Sequence, residues 1–256
     1  MFMDTEMEGK VALVTGGAGG IGQSICRHLS AEGAIVAIHY HTSENDAEKL
    51  ASEIGGFTVN ADLRIPSEAR KMISNIVSKV GGLDICVANS GHYPSRSLSF
   101  WEIDDERWES TISSNLGVAV NTSRAFLEHA SVARSGSLVL VGSTAGVYGE
   151  AGHSDYATAK GAITSGLLLT LKNDVAKIGN VRVNAVAPGW TITKKKEIEP
   201  PKESSIGRAQ STMALKKFAT PDDVARAVVM LSSNATAGHI TGQIIEIAGG
   251  MEGRII

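Results

Sequence analysis

Residues 15–22 read TGGAGGIG, five glycines in eight positions. They follow the apolar, β-branched run KVALV and precede QSICRHLSAEG, whose spacing is helical. A strand, a glycine turn and a helix start in immediate succession leave few folds open. Glycine accepts φ > 0 and lets an anion approach the backbone. The helix that follows directs free N–H groups and a positive dipole end at that anion. The pattern therefore predicts a dinucleotide site at the end of a first strand. Two registers fit: Gly17, Gly19 and Gly22 as G-x-G-x-x-G, or Gly16, Gly20 and Gly22 as G-x-x-x-G-x-G.

The rest of the chain repeats the strand–helix alternation. Strand-like runs fall at Val11–Val14, 35–39, Phe57–Asn60, 83–88, 137–141, 182–186 and Ile244–Ile247. Helical patterns fall at 21–32, 45–54, Pro66–Val80, 105–129, 154–178 and Pro221–Ser232. Pro66 and Pro221 suit a first helical turn, with Thr220 as the N-cap before Pro221. Such alternation predicts an α/β fold, a Rossmann-like doubly wound parallel sheet of about seven strands with right-handed crossovers. No linker, repeat or charge block divides the chain, so residues 1–256 read as a single NAD(P)-binding domain. The stretch 193–217 is polar, holds Pro200 and Pro201 and breaks the alternation. It is expected to be a substrate loop spanning about 190–217. Its KKK run, 194–196, reads as a solvated face rather than an anion site.

Composition excludes several classes of function. A net charge of -3 gives no electrostatic reason to expect nucleic acid or an anionic membrane as partner. No run approaches ~20 uninterrupted apolar residues, and the acidic start MFMDTEMEGK is not the pattern of a signal peptide. Cys26 and Cys86 read as free, buried thiols, which suits a cytoplasmic protein. No His/Cys cluster has metal-ligand spacing, so no metal is expected.

The end of the second strand bears on the choice of dinucleotide. A carboxylate there would bind the ribose 2′-OH of NAD. The segment is AIHYHTSE, with no acid before Glu44. His39, Tyr40, His41, Thr42 and Ser43 offer donors to a 2′-phosphate instead. NADP is therefore expected to be preferred, with NAD possible. A protonated His39 or His41 would make that preference grow as pH falls toward 6, given an ordinary histidine pKa near ~6.5.

The stretch GSTAGVYGEAGHSDYATAKGA supplies the chemistry. Ser143 lies just past the fifth strand, Tyr156 thirteen residues on, and Lys160 four after that. A tyrosine and a lysine at i, i+4 share one helix face. An ammonium beside a phenol favours the phenolate and lowers its pKa from ~10, toward a range suited to proton transfer. A serine hydroxyl at a strand end can hydrogen-bond the same substrate oxygen.

Taken together, these motifs resemble the short-chain dehydrogenase/reductase family, from Lys10 to about Gly250. The resemblance selects the register T-G-x-x-x-G-x-G, with Thr15, Gly16, Gly20, Ile21 and Gly22 at the cofactor. It implies adenine contacts from Asp62 and Leu63 in ADL, and cofactor contacts from Asn89 and Gly91 in ANSG. Asn115 in SSNLG matches the family's fourth catalytic residue. Pro188, Gly189, Thr191 and Thr193 in APGWTIT match the nicotinamide end. HYHTS is similar to the strand-two end of NADP-dependent pteridine reductases, except that Thr42 stands where they carry arginine. Ala88 replaces the first asparagine of N-N-A-G, which puts local rigidity in question. Ala248 replaces the aspartate of D-G-G, and Gly19 stands where NADP users often carry a basic residue.

The resemblance implies hydride exchange between nicotinamide and a small-molecule carbonyl or alcohol. Tyr156 would act as acid and base and Ser143 would orient the oxygen. Lys160 would tune Tyr156 and bind the ribose, and Asn115 would hold a water linking Lys160 to solvent. It also implies a homotetramer, with which the apolar GAITSGLLLTLK and the C-terminal GRII agree. A 3-oxoacyl thioester or a sugar or polyol would be a typical substrate. Trp190, His92, Tyr93, His153 and Trp101 either line the pocket or pack around it. The rival reading is a non-catalytic NADP-binding sensor on the same fold, which would be free to lose Tyr156 or Lys160.

Overall fold

Strands β1 (Val11–Val14), β2 (Ile35–Tyr40), β3 (Phe57–Asn60), β4 (Ile85–Ala88), β5 (Ser135–Val141), β6 (Asn180–Pro188) and β7 (Ile244–Ile247) form one sheet. Its order is β3-β2-β1-β4-β5-β6-β7, and every pairing is parallel. The structure is a computed structural model that describes residues 4–193 and 203–251. The basic run 194–196, Pro200, Pro201 and the C-terminal GRII lie outside the described residues.

Period-two alternation sends each strand's side chains to both faces. In register across the sheet, Ala37, Leu13, Cys86, Leu138 and Val183 form one buried row. Val14, Val87 and Val139 line the other face. Helices α1 (Gly20–Ala31) and α2 (Glu44–Ile54) cover this second face. On the first face lie α3 (Pro66–Val80), α5 (Val118–Ala133) and α8 (Leu168–Asp174). Leu13 and Leu138 are fully buried, a burial that contributes roughly 1.5–3 kcal/mol for each such side chain. Cys26 and Cys86 sit in these opposite cores, so the sheet separates the two free thiols.

Two long helical stretches are more articulated than their periodicity predicts. The stretch 105–129 becomes α4 (Asp105–Ile112), a π turn at Ser113–Gly117, and α5. The stretch 154–178 becomes α7 (Ser154–Gly161), a π turn at Ala162–Leu167, and α8. Side-chain period alone does not register a wide turn, because the apolar face continues through it. A short helix, α6 (Thr144–Tyr148), follows β5 and was not read from the sequence. The polar stretch after β6 also departs from an open loop. It carries helix α9 (Glu203–Ser211), and Thr191 pairs with Ala219 across its base. Next, α10 (Pro221–Ser232) starts as expected, with Thr220 and Asp223 in a reciprocal capping box. The short α11 (Asn234–Ala237) leads to β7.

Chain order reverses between β1 and β4. The segments leaving these neighbours diverge, and a crevice opens beyond their carboxyl ends. Thr15 ties its base together. Its hydroxyl donates to the Val87 carbonyl (3.3 Å) and accepts from the Asn89 and Ser90 N–H groups, both 3.0 Å. The Asn89 amide donates to the Thr15 and Gly16 carbonyls at 2.9 and 3.3 Å. Asn89 thus braces the sheet where Ala88 cannot.

Candidate active site

The crevice is one continuous cleft of about 960 Å³ running from the glycine loop to Tyr156 and Trp190. Glycines form its floor. Gly16 has φ +61, which side chains resist, and its N–H donates to His39 Nδ1 (3.0 Å). A Cβ on Gly22 would meet the Gly16 carbonyl oxygen, so that position too requires glycine. Gly20 opens α1 against Thr193, whereas Gly19 is the N-cap and a Cβ there would make only a tight contact with the Gly16 carbonyl. Gly17 is also tightly packed, a Cβ there falling 2.9 Å from Ile38 Cγ2 and 3.1 Å from the Val14 carbonyl, so close packing constrains glycines of both registers. The first turn of α1 carries no acid, so its free N–H groups face the cleft without a competing charge. A glycine cradle and an acid-free helix start fit a dinucleotide pyrophosphate.

Of the residues the sequence assigns to cofactor binding, Ile21, His39, Tyr40, His41, Thr42, Ser43, Asp62 and Leu63 line the half of the cleft beside the end of β2. Asn89, Gly91, Pro188, Gly189, Thr191 and Thr193 line the other half. Thr15 does not line the cleft. It is fully buried and its hydroxyl is spent on the node between β1 and β4.

His39 corrects a second expectation. Its Nδ1 accepts from Gly16, so Nε2 carries the hydrogen and donates to the Ala61 carbonyl (3.0 Å). Both ring nitrogens are engaged and no N–H remains for a phosphate. Burial lowers its pKa to about 4, so it is neutral near pH 6 and contributes nothing to a pH-dependent preference. The Tyr40 hydroxyl donates to Glu44 (2.8 Å). His41 is half-exposed, 3.8 Å from Asp62.

One cation at this end was missed. Arg64 lines the cleft and grips Asp62 through Nε and Nη2, at distances down to 2.6 Å, which leaves Nη1 without that partner. Hydrogen bonding from Arg64 holds the Asp62 carboxyl down at about 2. Arg64 carries no motif of its own in the sequence; only the fold brings it to the cleft.

At the opposite end, β5, α6 and α7 bring Ser143, Tyr156 and Lys160 into one cleft wall. Ser143 caps α6. Its Oγ accepts from the Ala145 N–H at 3.2 Å, which leaves its own hydrogen to the neighbouring Tyr156 phenol oxygen. The Lys160 ammonium is buried, donates to the Val141 carbonyl (2.9 Å) and lies 5.8 Å from the Tyr156 ring centroid. Burial lowers its pKa to about 8. Burial also pushes the Tyr156 phenol up to about 12, the Ser143 hydroxyl pulling the other way. The expected fall in the phenol pKa is thus not a property of the protein chain by itself, because desolvation outweighs its neighbours.

Asn115 sits fully buried in the first π turn. Its amide donates to the His92 and Thr111 carbonyls (2.8 and 3.0 Å), and its Oδ1 accepts from the His92 N–H (3.2 Å). Both amide hydrogens are used, so toward a water Asn115 offers acceptor capacity only. A Cβ on Gly91 would fall 2.7 Å from Asn115 Oδ1 and 3.3 Å from Lys160 Nζ. Glycine there lets the loop after β4 run between these two side chains. Buried Asp155 fixes the helix that carries Tyr156. It accepts from Arg107 Nε (2.9 Å) and Thr111 (3.0 Å) of α4.

The aromatic candidates divide. His92, Tyr93 and Trp190 line the cleft, and Trp190 packs on Phe218 at 5.3 Å. His153 is buried behind Tyr93, while Trp101 is 84% exposed on the surface. Glu150 also lines this end and was not read from the sequence as a site residue.

Comparison with known proteins agrees with this geometry. The short chain dehydrogenase family model matches residues 10–203. This chain belongs to the short-chain dehydrogenase family. It is 32% identical over 251 residues to a 3-oxoacyl-[acyl-carrier-protein] reductase of Thermotoga maritima, covering 96% of this chain and 98% of that one. The corresponding reductase of Staphylococcus aureus is also 32% identical, covering 94% and 98%. A crystal structure described as a short-chain alcohol dehydrogenase of Sinorhizobium meliloti superposes with a TM-score of 0.88 at 29% identity, covering 96% and 98%. As a short-chain dehydrogenase, the protein is an oxidoreductase on a Rossmann-like fold. Nothing favours the non-catalytic reading, since the serine, tyrosine and lysine of the active wall are all present and in one place.

The buried, neutral His39 predicts a specific pH dependence of stability. Its folded pKa of about 4 lies below the unfolded ~6.5, so between these values the unfolded chain binds more protons and stability falls with falling pH. Urea unfolding at pH 7 and 4.5 should show His39→Asn losing less stability than the unmodified protein, by about 2–3 kcal/mol. Equal losses would mean that His39 is not held neutral.

Proposed function

We propose that this short-chain dehydrogenase interconverts a small carbonyl and its alcohol, with NADP(H) as preferred dinucleotide and NAD(H) as the weaker alternative. The observation that carries the reading is the convergence of Ser143, Tyr156 and Lys160 at one end of a cleft whose other end is a glycine cradle. Bound nicotinamide dinucleotide would give or take the hydride.

The chain's own residues would hold the oxygen and move the proton. With substrate bound, the Ser143 hydroxyl, its acceptor side held by Ala145, donates to the substrate oxygen and fixes it beside the phenol. Tyr156 passes its hydroxyl proton to that oxygen in reduction and takes it back in oxidation. Lys160 places a buried positive charge beside the phenol and would hydrogen-bond the nicotinamide ribose of a bound cofactor. Asn115 holds the loop after β4 against α4 and offers Oδ1 to a water behind Lys160. Pro188, Gly189, Thr191 and Thr193 border the nicotinamide end.

Support for NADP is local. His41, Thr42, Ser43 and Arg64 surround the ribose end, and the carboxylate there, Asp62, is paired with Arg64. Guanidinium hydrogens beyond those used by Asp62 suit a 2′-phosphate.

The substrate is a small molecule of the 3-oxoacyl-thioester or sugar/polyol type. We read residues 1–256 as one cytoplasmic domain that assembles as a homotetramer, which half-exposed Leu169 and the exposed Val132 support. Among the described residues no helix is long and apolar enough to cross a membrane, and no His/Cys/Asp/Glu group could hold a metal.

Tyr156→Phe keeps the ring and removes the proton, so turnover should fall at least ~10²-fold with cofactor affinity nearly unchanged. Steady-state kinetics with calorimetric cofactor binding checks this, and turnover like that of the unmodified protein would contradict the assignment. The same calorimetry should find NADP(H) bound more tightly than NAD(H). Arg64→Met should narrow that ratio about tenfold, the scale of one charge-assisted hydrogen bond. Tighter NAD(H) binding by the unmodified protein would overturn the preference.

A further inference from the structure

The substrate end of the cleft contains a small, built arrangement that the proposed chemistry does not use. The Tyr93 hydroxyl donates to Glu150 Oε1 at 2.6 Å. The Tyr93 ring stacks on His153, with centroids 4.5 Å apart and planes 26° apart, and meets the Tyr156 ring edge-on at 5.0 Å. His153 is buried and anchored, its Nε2 3.1 Å from the Pro94 carbonyl. Glu150 is thus positioned in the cleft wall by the Tyr93 hydroxyl, which also lies 3.2 Å from His153 Nδ1.

Its charge has little to balance it. The nearest basic group is His153 Nδ1 at 3.8 Å from Oε1, and among the described residues no hydrogen bond reaches Oε2. The other charged side chains lining the cleft are Asp62 and Arg64 at the far end, and Lys160, whose ammonium donates to Val141. No arginine or exposed lysine among the described lining residues stands at the substrate end.

A carboxylate fixed in a cleft wall sets clear rules for what can lie against it. An alkyl chain would strip its water and give nothing back. An anionic group would be repelled, with no exposed cation among the described lining residues of this end to offset the repulsion. A hydroxyl would donate to the vacant lone pairs of Oε2. Sites built around a substrate hydroxyl reject analogues that lack it far more strongly than apolar pockets reject a missing methylene.

We propose that Glu150, positioned by Tyr93 and His153, determines substrate specificity by accepting a hydrogen bond from a hydroxyl close to the reacting carbon, so that the substrate is a neutral hydroxyketone or its vicinal or 1,3-diol. This rests on the carbonyl–alcohol reading above and selects the polyol branch of it over the acyl thioester. Glu150 neither gives nor takes the transferred proton; its charge also pushes the Tyr156 phenol up, an effect common to every carbonyl compared, so the substrate ratio reads where the substrate lies.

The test uses the full chain with saturating NADPH and substrates that differ at one group. 1-Hydroxy-2-butanone and 4-hydroxy-2-butanone supply the hydroxyl, 2-butanone lacks it, 2-oxobutanoate replaces it with a carboxylate, and acetoacetyl-coenzyme A presents the thioester. For the unmodified protein, kcat/KM for at least one hydroxyketone should exceed that for 2-butanone by at least about tenfold, mainly through KM. Both 2-oxobutanoate and the thioester should be poorer than the hydroxyketones.

In Glu150→Leu the hydroxyketone-to-butanone ratio should fall at least about tenfold. Glu150→Gln, which keeps an acceptor oxygen, should fall between. Thermal unfolding and NADPH affinity of each variant show that fold and cofactor site persist. A butanone or thioester preference in the unmodified protein, or an unchanged ratio in Glu150→Leu, overturns the proposal while leaving the oxidoreductase reading intact. An unmodified protein that binds NADPH but reduces none of these carbonyls overturns that underlying reading and the proposal with it.

Discussion

A buried ammonium is costly unless its surroundings are arranged for it, and much of the cleft wall is arranged around Lys160. Its side chain passes beneath the end of β5 to reach the Val141 carbonyl. A Cβ at position 91, in the loop after β4, would crowd Lys160 Nζ at 3.3 Å and collide with Asn115 Oδ1 at 2.7 Å. Asn115, in the turn where α4 and α5 depart from regular helix, borders the same space. Close packing of α6 on α7 also depends on a missing side chain, since a Cβ on Gly146 would meet the Lys160 carbonyl carbon and Gly161 nitrogen at 2.5 Å. These constraints set Tyr156 beside a positive charge and at the cleft surface together.

The sheet supplies the frame. Reversal of strand order between β1 and β4 opens the crevice, and Thr15 with Asn89 closes its base. The two ends then differ in chemistry. The adenosine end offers donors around a paired aspartate, and the substrate end offers an acceptor, Glu150, positioned by the Tyr93 hydroxyl. Polar side chains line both ends of the cleft, several of them fixed by hydrogen bonds, which is how such a site orients a ligand.

Much of this was legible in the sequence because it depends on local chemistry. Strand–helix alternation and the glycine loop foretell the parallel sheet, and the i, i+4 spacing of Tyr156 and Lys160 foretells their shared wall. Tertiary contacts were less visible. Thr15 reads as a cofactor ligand until Asn89 and Ser90 are seen to claim its hydroxyl. His39 reads as a phosphate donor until burial beneath Gly16 makes it neutral. Both π turns escape periodicity, since one extra residue in a turn leaves the apolar stripe nearly in place. Glu150 and Arg64 escaped for a simpler reason. A single charged residue in a polar loop has no signature until the fold brings it to a cleft. The phenol pKa was misjudged because spacing reveals the neighbouring charge and not the depth of burial.

The central claim is the proposal that, with the nicotinamide cofactor bound, the Lys160 charge helps bring the Tyr156 proton into working range, against a burial that in the protein alone pushes the phenol up to about 12. The pH dependence of kcat/KM for alcohol oxidation at saturating NADP, in the unmodified protein and in Lys160→Met, tests it most directly. In the unmodified protein the rate should rise through a pKa well below 12, and in Lys160→Met that limb should move upward by at least about one pH unit. An identical limb in both proteins would contradict the account.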